Sequence, residues 1–411
     1  MDFEDTREEA EYRARARAFL QANATRKPVD SSRGYRDGNE SHDALAKARI
    51  WQQKKAAAGF AAITWPKQWG GPGGSAIQQV IYNQEEAEFD VPVGFFELGI
   101  GWAMPSLFAW GTPALVLPHA ERTRTGAEIW CQLFSEPAGG TDLAALRTRA
   151  ERQGDEWVIN GQKIWTTGAQ FSDYGLLITR SDFTVPKHKG LTAFYVDMKS
   201  PGVEVRPIRQ MSGEAHFNEV FFNDVRIPDS QRLGAPGDGF KVVLTTLNNE
   251  RFNISELFPP DFDQLFELVK NLEYPEGPAI QNAAIRERLA DFYIKSQGVK
   301  CANFRAMTAL SRGETPGPEI SIGKLVSSAR LQDLSAFGAD LMDAAGIMTD
   351  PDQMPMKALF QRGYLYSPGL RVGGGTDEII RNVIAERVLG LPAEVRVDKD
   401  LPFNRLPTGK R

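Results

Sequence analysis

The chain has 411 residues and a formal net charge of -5, with 42% hydrophobic and 25% charged residues. This balance excludes a mostly disordered chain, and the acidic excess argues against a nucleic-acid-binding protein. A length well above the roughly 100 to 200 residues of one domain predicts two or three packed domains. Any polyanionic ligand must then be met by local arginines and helix N-termini.

Signals for a disulfide framework, a metal site or a membrane are missing. The two cysteines and four histidines are scattered through the chain, so neither a disulfide framework nor a metal site is predicted. The N-terminal segment has no apolar centre of signal-peptide type, and no stretch approaches the roughly 18 apolar residues of a membrane span. We therefore expect a cytoplasmic protein with no membrane or nucleic-acid partner.

Helical spacing dominates the N-terminal part of the chain. Thr6 and Glu9 are placed as a capping box at the start of a surface helix, and further helices are predicted over 44–58 and 76–89. From about Ile129 to Pro228, short β-rich runs such as EWVING and YGLLITR alternate with turns. The runs lie too close together for crossover helices, which predicts an antiparallel barrel or sandwich.

Helical spacing returns after the turn GAPGDG at 234–239. The sequence predicts further helices over four ranges, which are 240–272, 279–312, 318–345 and 376–389. The predicted order is therefore a helical domain over 1–128, a β domain over 129–236 and a helical bundle over 237–411.

Two glycine-containing segments carry the candidate chemistry. In RVGGGTDEIIRN, from Arg371 to Asn382, three glycines precede Thr376 and an amphipathic stretch, which predicts a bare loop that opens a helix. Within 131–169, hydroxyls, glycine N–H groups and a large flat ring suit a planar heterocycle that bears phosphates. The residues concerned are Ser135, Gly139, Gly140, Thr141, Trp165, Thr166 and Thr167. On composition alone, a β-turn and a core tryptophan explain them equally well.

The second segment resembles the signature of the acyl-CoA dehydrogenase family. The matching runs are SEPAGGTD at 135–142 and NGQKIWTTG at 160–168. The resemblance continues through GLTAFYVDM, FNEVFFNDVRIP and GDGFKVVL to GGTDEIIRNVIAERVLGLP at 374–392, and so covers nearly the whole chain in the same order. It implies an α+β fold with an N-terminal helical domain, a middle antiparallel β-barrel domain and a C-terminal four-helix-bundle domain.

The resemblance also implies FAD as the cofactor and an acyl-CoA thioester as the substrate. By position in the motifs, the residues implied to contact FAD are Gln132, Leu133, Phe134, Ser135, Gly140, Thr141, Trp165, Thr166, Thr167, Thr376, Asp377 and Glu378. Those implied to contact the acyl-CoA are Thr141, Asn248, Arg251, Gly374 and Gly375.

The catalytic base is displaced from its common position in this chain. Family members remove a proton from the α-carbon while a hydride leaves the β-carbon for flavin N5, so a carboxylate must lie within about 3 Å of that proton. Many members place a glutamate directly before the Gly-Thr of the C-terminal loop, where this chain has Gly374. Branched-chain and some long-chain members place it on the helix after a Gly-Phe pair, which corresponds to Glu250 here. Glu250 is therefore the implied base, and an ordinary surface glutamate paired with an arginine is the alternative.

The glycine at position 374, where many family members have a glutamate, has two implied consequences. The backbone N–H at Gly374 would bind the thioester carbonyl oxygen, together with a flavin ribityl hydroxyl, and stabilise the enolate-like charge. A loop without side chains also leaves volume beside the α-carbon, which favours a branched, aromatic or polycyclic acyl group.

Two stretches depart from the family pattern. The arginine that reaches FAD across a subunit boundary is absent from 268–284, and the usual glycine-rich run has become DLMDAAGIMTD at 340–350. Such departures are common in bacterial relatives built from two different subunits. The implied assembly is a homotetramer or a heterotetramer with a related subunit, with electron-transfer flavoprotein or a similar acceptor as partner. A non-catalytic partner subunit, or an oxidase or monooxygenase on the same fold, are the alternatives.

Overall fold

The computed structural model describes residues 5–27, 41–253, 259–312, 314, 317, 318, 320–396 and 398–406, and its side-chain description leaves out positions 248, 250–253 and 320. These residues form two compact units. The first unit comprises Met1–Arg36, Ser75–Val91 and Asn253–Ala393, and the second comprises Asp37–Gly74, Pro92–Phe252 and Glu394–Arg411. The three predicted domains therefore do not correspond one to one with these units, and their boundaries stay a prediction.

Helices and strands are numbered in chain order. The helices are α1 (Arg7–Asn23), α2 (His42–Ala58), α3 (Ala76–Glu86), α4 (Met104–Trp110), α5 (Pro113–Arg124), α6 (Gly239–Asn253), α7 (Phe262–Asn271), α8 (Ala283–Ser311), α9 (Ile320–Leu341), α10 (Leu359–Val372) and α11 (Asp377–Val383). The strands are β1 (Thr25–Arg26), β2 (Phe89–Asp90), β3 (Trp130–Leu133), β4 (Arg149–Gln153), β5 (Glu156–Thr167), β6 (Tyr174–Arg180), β7 (Leu191–Asp197), β8 (Val203–Ile208), β9 (Phe217–Pro228), β10 (Arg232–Leu233), β11 (Glu273–Tyr274) and β12 (Gly277–Pro278).

The N-terminal helix begins where the sequence predicts. The Thr6 hydroxyl accepts a hydrogen bond from the Glu9 N–H, and the Glu9 carboxylate accepts one from the Thr6 N–H, which completes the predicted capping box. Within the first unit, α1 packs on α3. The buried Glu85 carboxylate of α3 is paired there with Arg13 and Arg17 of α1.

The first unit is built mainly of α7 to α10. Their apolar side chains share one core, which includes Leu265, Leu268, Val269, Phe292, Leu334 and Phe360. Helices α9 and α10 approach so closely that a Cβ on Gly338 would lie 2.2 Å from the Phe360 ring. Helix α10 was not predicted, because Pro368 and two glycines obscure its helical pattern. The four-helix bundle stays a prediction.

The second unit contains an eight-stranded sheet in the order β10-β7-β6-β4-β5-β9-β8, with β3 also pairing with β6. Most pairs are antiparallel, as predicted, but β3 and β4 run parallel to β6. The β4–β5 hairpin lies between β3 and β6 in the chain and provides the crossover that a parallel pair requires. The α+β class is thus confirmed. The closed barrel is not confirmed, since among the described strands the pairing path ends at β10 and β8.

Strand β3 lies between two apolar cores of the second unit. Leu133 belongs to the core beneath the sheet, with Trp157, Phe194 and Phe222 among its members. Trp130 and Phe134 belong to the other core, to which α4, α5 and α6 also contribute. Because both faces of β3 are packed, the segment that follows it leaves the sheet from a fixed position.

Two predicted helices differ in detail from the observed ones. The stretch 240–272 forms two helices, α6 and α7, rather than one. The stretch 376–389 forms α11, which continues as a π-helical turn over Ile384–Val388. In the described part of the chain, no helix is long and apolar enough to cross a membrane.

Candidate functional site

The first motif leaves β3 as a tight turn. The N–H of Glu136 donates to the Gly139 carbonyl at 3.2 Å, and the N–H of Gly139 donates to the Glu136 carbonyl at 3.0 Å. Beyond this turn Gly140 is exposed, and a Cβ built on it would meet nothing within 4 Å. Thr141 is also exposed. The turn therefore presents backbone and a hydroxyl to an incoming ligand.

The predicted FAD contacts of the first motif differ in what they can offer. The side chains of Leu133 and Phe134 are buried in the two cores, so only their backbone groups are available. Gln132 and Ser135 are half-buried. Among the described residues, no hydrogen bond uses the hydroxyl of Ser135 or Thr141. These two hydroxyls are thus available to a ligand.

A buried ion pair holds the turn from beneath. The Lys163 ammonium is fully buried and donates to the Glu136 carboxylate at 2.8 Å and to the Phe134 carbonyl at 3.0 Å. The same carboxylate accepts the backbone N–H groups of Arg147 and Thr148 at 2.6 and 2.8 Å. Burial alone would raise the pKa of Glu136, but the Lys163 charge and these hydrogen bonds outweigh burial and lower it.

Two further cations hold the chain that follows the turn, and sequence reasoning missed them. Arg180 at the end of β6 is fully buried and donates to the carbonyls of Ala144 and Leu146. Lys187 donates to the Asp142 carboxylate at 2.7 Å. Burial lowers the pKa of Arg180 to about 10, so the guanidinium remains charged at neutral pH. A charged residue that ends the apolar run YGLLITR is the signal that could have identified Arg180.

The second motif lies at the irregular end of β5. Its pairing with β9 shifts register between Lys163 and Thr166. At this bulge Trp165 takes a left-handed φ of 59° and leaves 54% of its surface exposed. Thr166 is fully buried, and its hydroxyl has no hydrogen-bond partner among the described residues. Thr167 is half-buried.

Helix α6 carries the predicted base, and its register in the second unit is fixed by hydrogen bonds. The hydroxyls of Thr246 and Ser106 lie 2.7 Å apart, and the Trp110 indole donates to the Thr245 hydroxyl at 3.0 Å. The helix extends over Gly239–Asn253, as the resemblance implies for the positions of the base and the CoA contacts. The side chains of Asn248, Glu250 and Arg251 lie outside the described residues.

The C-terminal glycine loop lies in the first unit, between α10 and α11. Gly374 and Gly375 have φ values of 67° and 98°, in the region that favours glycine. The Thr376 hydroxyl accepts the Ile379 N–H at 3.3 Å and caps α11. The predicted loop that opens a helix is therefore confirmed.

The two acidic residues of this loop differ in their surroundings, and only Asp377 is held in a buried ion pair. Asp377 is 3% exposed, and its carboxylate pairs with the Arg371 guanidinium at 2.6 Å. Lys324 of α9 lies 4.0 Å from the other carboxylate oxygen and donates to the Gly375 carbonyl. Glu378 is exposed. The contacts of Asp377, Glu378, Thr376 and Gly374 with ligands stay predictions.

Comparisons with known proteins identify the family. The family models of the acyl-CoA dehydrogenase N-terminal, middle and C-terminal domains match residues 6–116, 131–225 and 237–389, respectively. The acyl-CoA dehydrogenase IpdE1 of Mycobacterium tuberculosis is 36% identical over 397 residues, which cover 94% of this chain and 98% of that protein.

Solved structures agree with this assignment. A structure named "Tcur3481-Tcur3483 steroid ACAD" has a TM-score of 0.79 and 26% identity, covering 96% of this chain and 100% of that one. The ChsE4-ChsE5 complex of Mycobacterium tuberculosis has a TM-score of 0.75 and 26% identity, with the same coverage. The fold and motifs define a flavin-dependent oxidoreductase. The chain belongs to the acyl-CoA dehydrogenase family and is an FAD-dependent enzyme that acts on acyl-CoA.

The residues of the second unit fit a flavin. The orphaned Thr166 hydroxyl, the exposed Trp165 ring and the free hydroxyls of Ser135 and Thr141 supply the polar and flat surfaces that its ring system needs. The open space at Gly140 lets the backbone approach it. When bound, FAD supplies a hydride acceptor.

Proposed function

We propose that this enzyme dehydrogenates the α,β-bond of an acyl-CoA thioester with Glu250 as the general base. The Glu250 carboxylate takes the α-proton, and the N–H of Gly374 holds the thioester oxygen as negative charge develops there. Bound FAD would supply the acceptor for the hydride that leaves the β-carbon. The observation that carries the assignment is that no carboxylate of the described C-terminal loop is suited to act as the base.

Each acid of that loop is unsuited to the task of the base. Gly374, at the common family position, has no carboxylate. Asp377 is buried and paired with Arg371 and Lys324. Hydrogen bonds from its own backbone N–H and from Thr376 lower the pKa of Glu378, whereas a general base needs a pKa raised toward neutrality. This elimination supports a base on α6.

The substrate we expect has a branched, aromatic or polycyclic acyl group. The loop at Gly374 and Gly375 carries no side chains, which leaves room beside a bulky chain. The name of one structural relative, a steroid acyl-CoA dehydrogenase, supports the same class of substrate. The enzyme would pass its electrons to electron-transfer flavoprotein or a similar acceptor.

The assembly we expect is a tetramer, either of one chain or of this chain with a related subunit. Two structural relatives carry the names of two proteins, Tcur3481-Tcur3483 and the ChsE4-ChsE5 complex, which supports the heteromeric form. The departures at 268–284 and 340–350 favour it as well. Oxygen consumption during turnover would instead favour an oxidase or monooxygenase.

Glu250→Gln tests the base. The amide keeps the size of the side chain but cannot take a proton, so FAD and acyl-CoA should bind while flavin reduction slows by about two to four decades. Stopped-flow absorbance of the flavin after mixing with acyl-CoA measures this rate. The matched control is Glu287→Gln, an exposed glutamate on α8, which should reduce its flavin at the parental rate. A parental rate in Glu250→Gln would show that the base is elsewhere.

The substrate class is tested by competition between thioesters. We expect a higher kcat/KM with branched or polycyclic acyl-CoA than with butyryl-CoA, because the loop leaves volume at the α-carbon. Flavin reduction is followed with each thioester, in the presence of any related subunit encoded nearby. Equal or better turnover of butyryl-CoA contradicts the proposed substrate class without affecting the assignment of the base.

A further inference from the structure

The C-terminal tail, defined as residues 394–396 and 398–406, packs on the sheet-bearing unit to which it belongs. The N–H of Phe403 donates to the Val185 carbonyl, and the N–H of Asn404 donates to the Phe183 carbonyl, both at 2.9 Å. Pro402 forms an isolated antiparallel bridge with Pro186. The family match ends at residue 389, so the tail lies beyond the part of the chain that defines the family.

One tail side chain covers the buried arginine. Phe403 is 4% exposed, and its ring centroid lies 3.6 Å from the guanidinium carbon of Arg180. The guanidinium of Arg147 lies 5.2 Å from the same ring, and Phe183 meets it edge-on at 5.7 Å. A cation over an aromatic face is attracted more strongly where water is excluded. Phe403 thus fixes the guanidinium whose N–H groups hold the carbonyls of 144 and 146.

A second tail side chain, Asp398, binds the same lysine as Asp142 of the first motif. The Lys187 ammonium lies between two carboxylates, 2.7 Å from Asp142 and 2.6 Å from Asp398. Burial alone would lower the pKa of Lys187, but the hydrogen bonds that its ammonium donates to the two aspartates raise it. Asp142 directly follows Thr141, which offers a free hydroxyl to a ligand. The orientation of the ammonium therefore links the tail to the end of the motif.

We infer that the C-terminal tail is a positioning element for the loop at 135–148, acting through Asp398 on Lys187 and through Phe403 on Arg180. The contacts described above join it to Arg147, Arg180, Lys187 and the 183–186 segment, and through them it sets the shape of the loop that carries the predicted FAD contacts. The inference rests on the proposed function only in that this loop binds FAD and acyl-CoA. It requires neither Glu250 as the base nor a particular acyl group.

The test compares two aspartates two residues apart in the same tail. Asp398→Asn removes the second carboxylate from Lys187, whereas Asp400→Asn changes an exposed aspartate that has no ion pair among the described residues. Asp398→Asn should weaken FAD binding and raise KM for acyl-CoA, each by about 3- to 10-fold, and leave kcat within about twofold. Fluorescence titration with FAD and steady-state kinetics give these values. Asp400→Asn should match the parent.

A double-variant cycle separates positioning from general loss of stability. If Asp398 acts through Lys187, Asp398→Asn should have no further effect on FAD affinity in a Lys187→Met background. Phe403→Leu keeps apolar bulk and loses the aromatic face, so it should weaken FAD binding and alter the visible circular dichroism of the bound flavin. Both readings are made without turnover, so they stand even if Glu250 or the substrate class is wrong.

Three outcomes would overturn the inference. Asp398→Asn could behave like Asp400→Asn, or it could lower the melting temperature while FAD affinity and KM stay at parental values. The effects of Asp398→Asn and Lys187→Met could also be additive. Any of these would leave the tail with a purely structural role.

Discussion

The ion pair between Glu136 and Lys163 gives two motif residues a role that motif recognition alone did not assign. The sequence places them in separate motifs, 27 positions apart, and the fold brings them together beneath the turn at 136–139. Lys163 is fully buried, and a buried charge is retained only when it is paired. The pair therefore couples the conformation of the first motif to the strand that carries the second.

Replacement of the buried carboxylate should be costly. Glu136→Gln leaves the Lys163 ammonium without a charged partner, and breaking a buried pair costs about 3 to 5 kcal/mol of unfolding free energy. Urea denaturation measures the loss, with the exposed Glu204→Gln as a control that should change little. Adding Lys163→Met to Glu136→Gln should recover part of the stability, because it removes the uncompensated charge. Failure to recover any would show that packing, not charge, dominates at this position.

The same carboxylate predicts a pH dependence. The pKa of Glu136 is lowered in the folded protein, so its contribution is fully present above the unfolded pKa of about 4.3 and is lost as pH falls through the folded value. The difference in unfolding free energy between the parent and Glu136→Gln should therefore be constant near neutrality and shrink below about pH 4.3. Urea denaturation at a series of pH values checks this, and a difference that persists at low pH would contradict it.

At the scale of elements, the glycine loop combines two requirements. The sequence indicated a loop that offers backbone to a ligand, and the structure adds that Gly374 and Gly375 occupy the left-handed region. A glutamate at Gly374, as in other family members, would carry this backbone strain. The left-handed φ thus favours glycine at this position, independently of the substrate.

Alanine substitutions test whether the left-handed backbone at Gly374 requires glycine. Gly374→Ala should lower the unfolding free energy by about 1 to 2 kcal/mol, the cost of a left-handed non-glycine residue. Gly369→Ala, inside α10 with nothing within 4 Å of the added Cβ, should instead raise it by about 0.5 to 1 kcal/mol. Urea denaturation measures both. Opposite signs are the expected result, and a neutral Gly374→Ala would mean that the loop tolerates another backbone conformation.

The elements show what sequence could and could not predict. The order of motifs, the capping box at Thr6 and most helices followed from local spacing and resemblance. Helix α10 was missed because Pro368 and two glycines interrupt its helical pattern, and one of these, Gly363, lies where an added Cβ would meet Ser335 of α9 at 2.5 Å, which is a tertiary requirement. The parallel pair of β3 with β6 was missed because local alternation does not specify strand partners. Arg180 and Lys187 were missed because a lone cation in the sequence does not reveal its buried partners.

At the scale of the whole molecule, the first unit exposes aromatic rings from α7 and α8. Phe266 and Tyr293 are 42% and 47% exposed, and each lies against Phe262, with ring centroids 5.8 and 5.1 Å apart. Exposed apolar patches of this kind mark interaction surfaces. They are candidates for the contact that builds the expected tetramer.

Charge placed in this patch should weaken the assembly. Tyr293→Glu should shift the mass measured by light scattering at micromolar concentration from tetramer toward smaller species, because a carboxylate would be desolvated at the contact. Ile50→Glu on α2 is the control, since Ile50 is 58% exposed and should tolerate the charge without a change in mass. A parental protein that is monomeric with FAD bound would contradict the tetramer itself.

The C-terminal tail also bears on the order of events during biosynthesis. Translation delivers Lys163, Arg180 and Lys187 long before Asp398 and Phe403, so in the nascent chain Arg180 and Lys187 at first lack their contacts with the tail. Parts of the chain that emerge early fold first. The loop at 135–148 therefore reaches its final conformation only after the tail has been synthesised. A ribosome-bound intermediate that ends before residue 398 should bind FAD less tightly than the released enzyme.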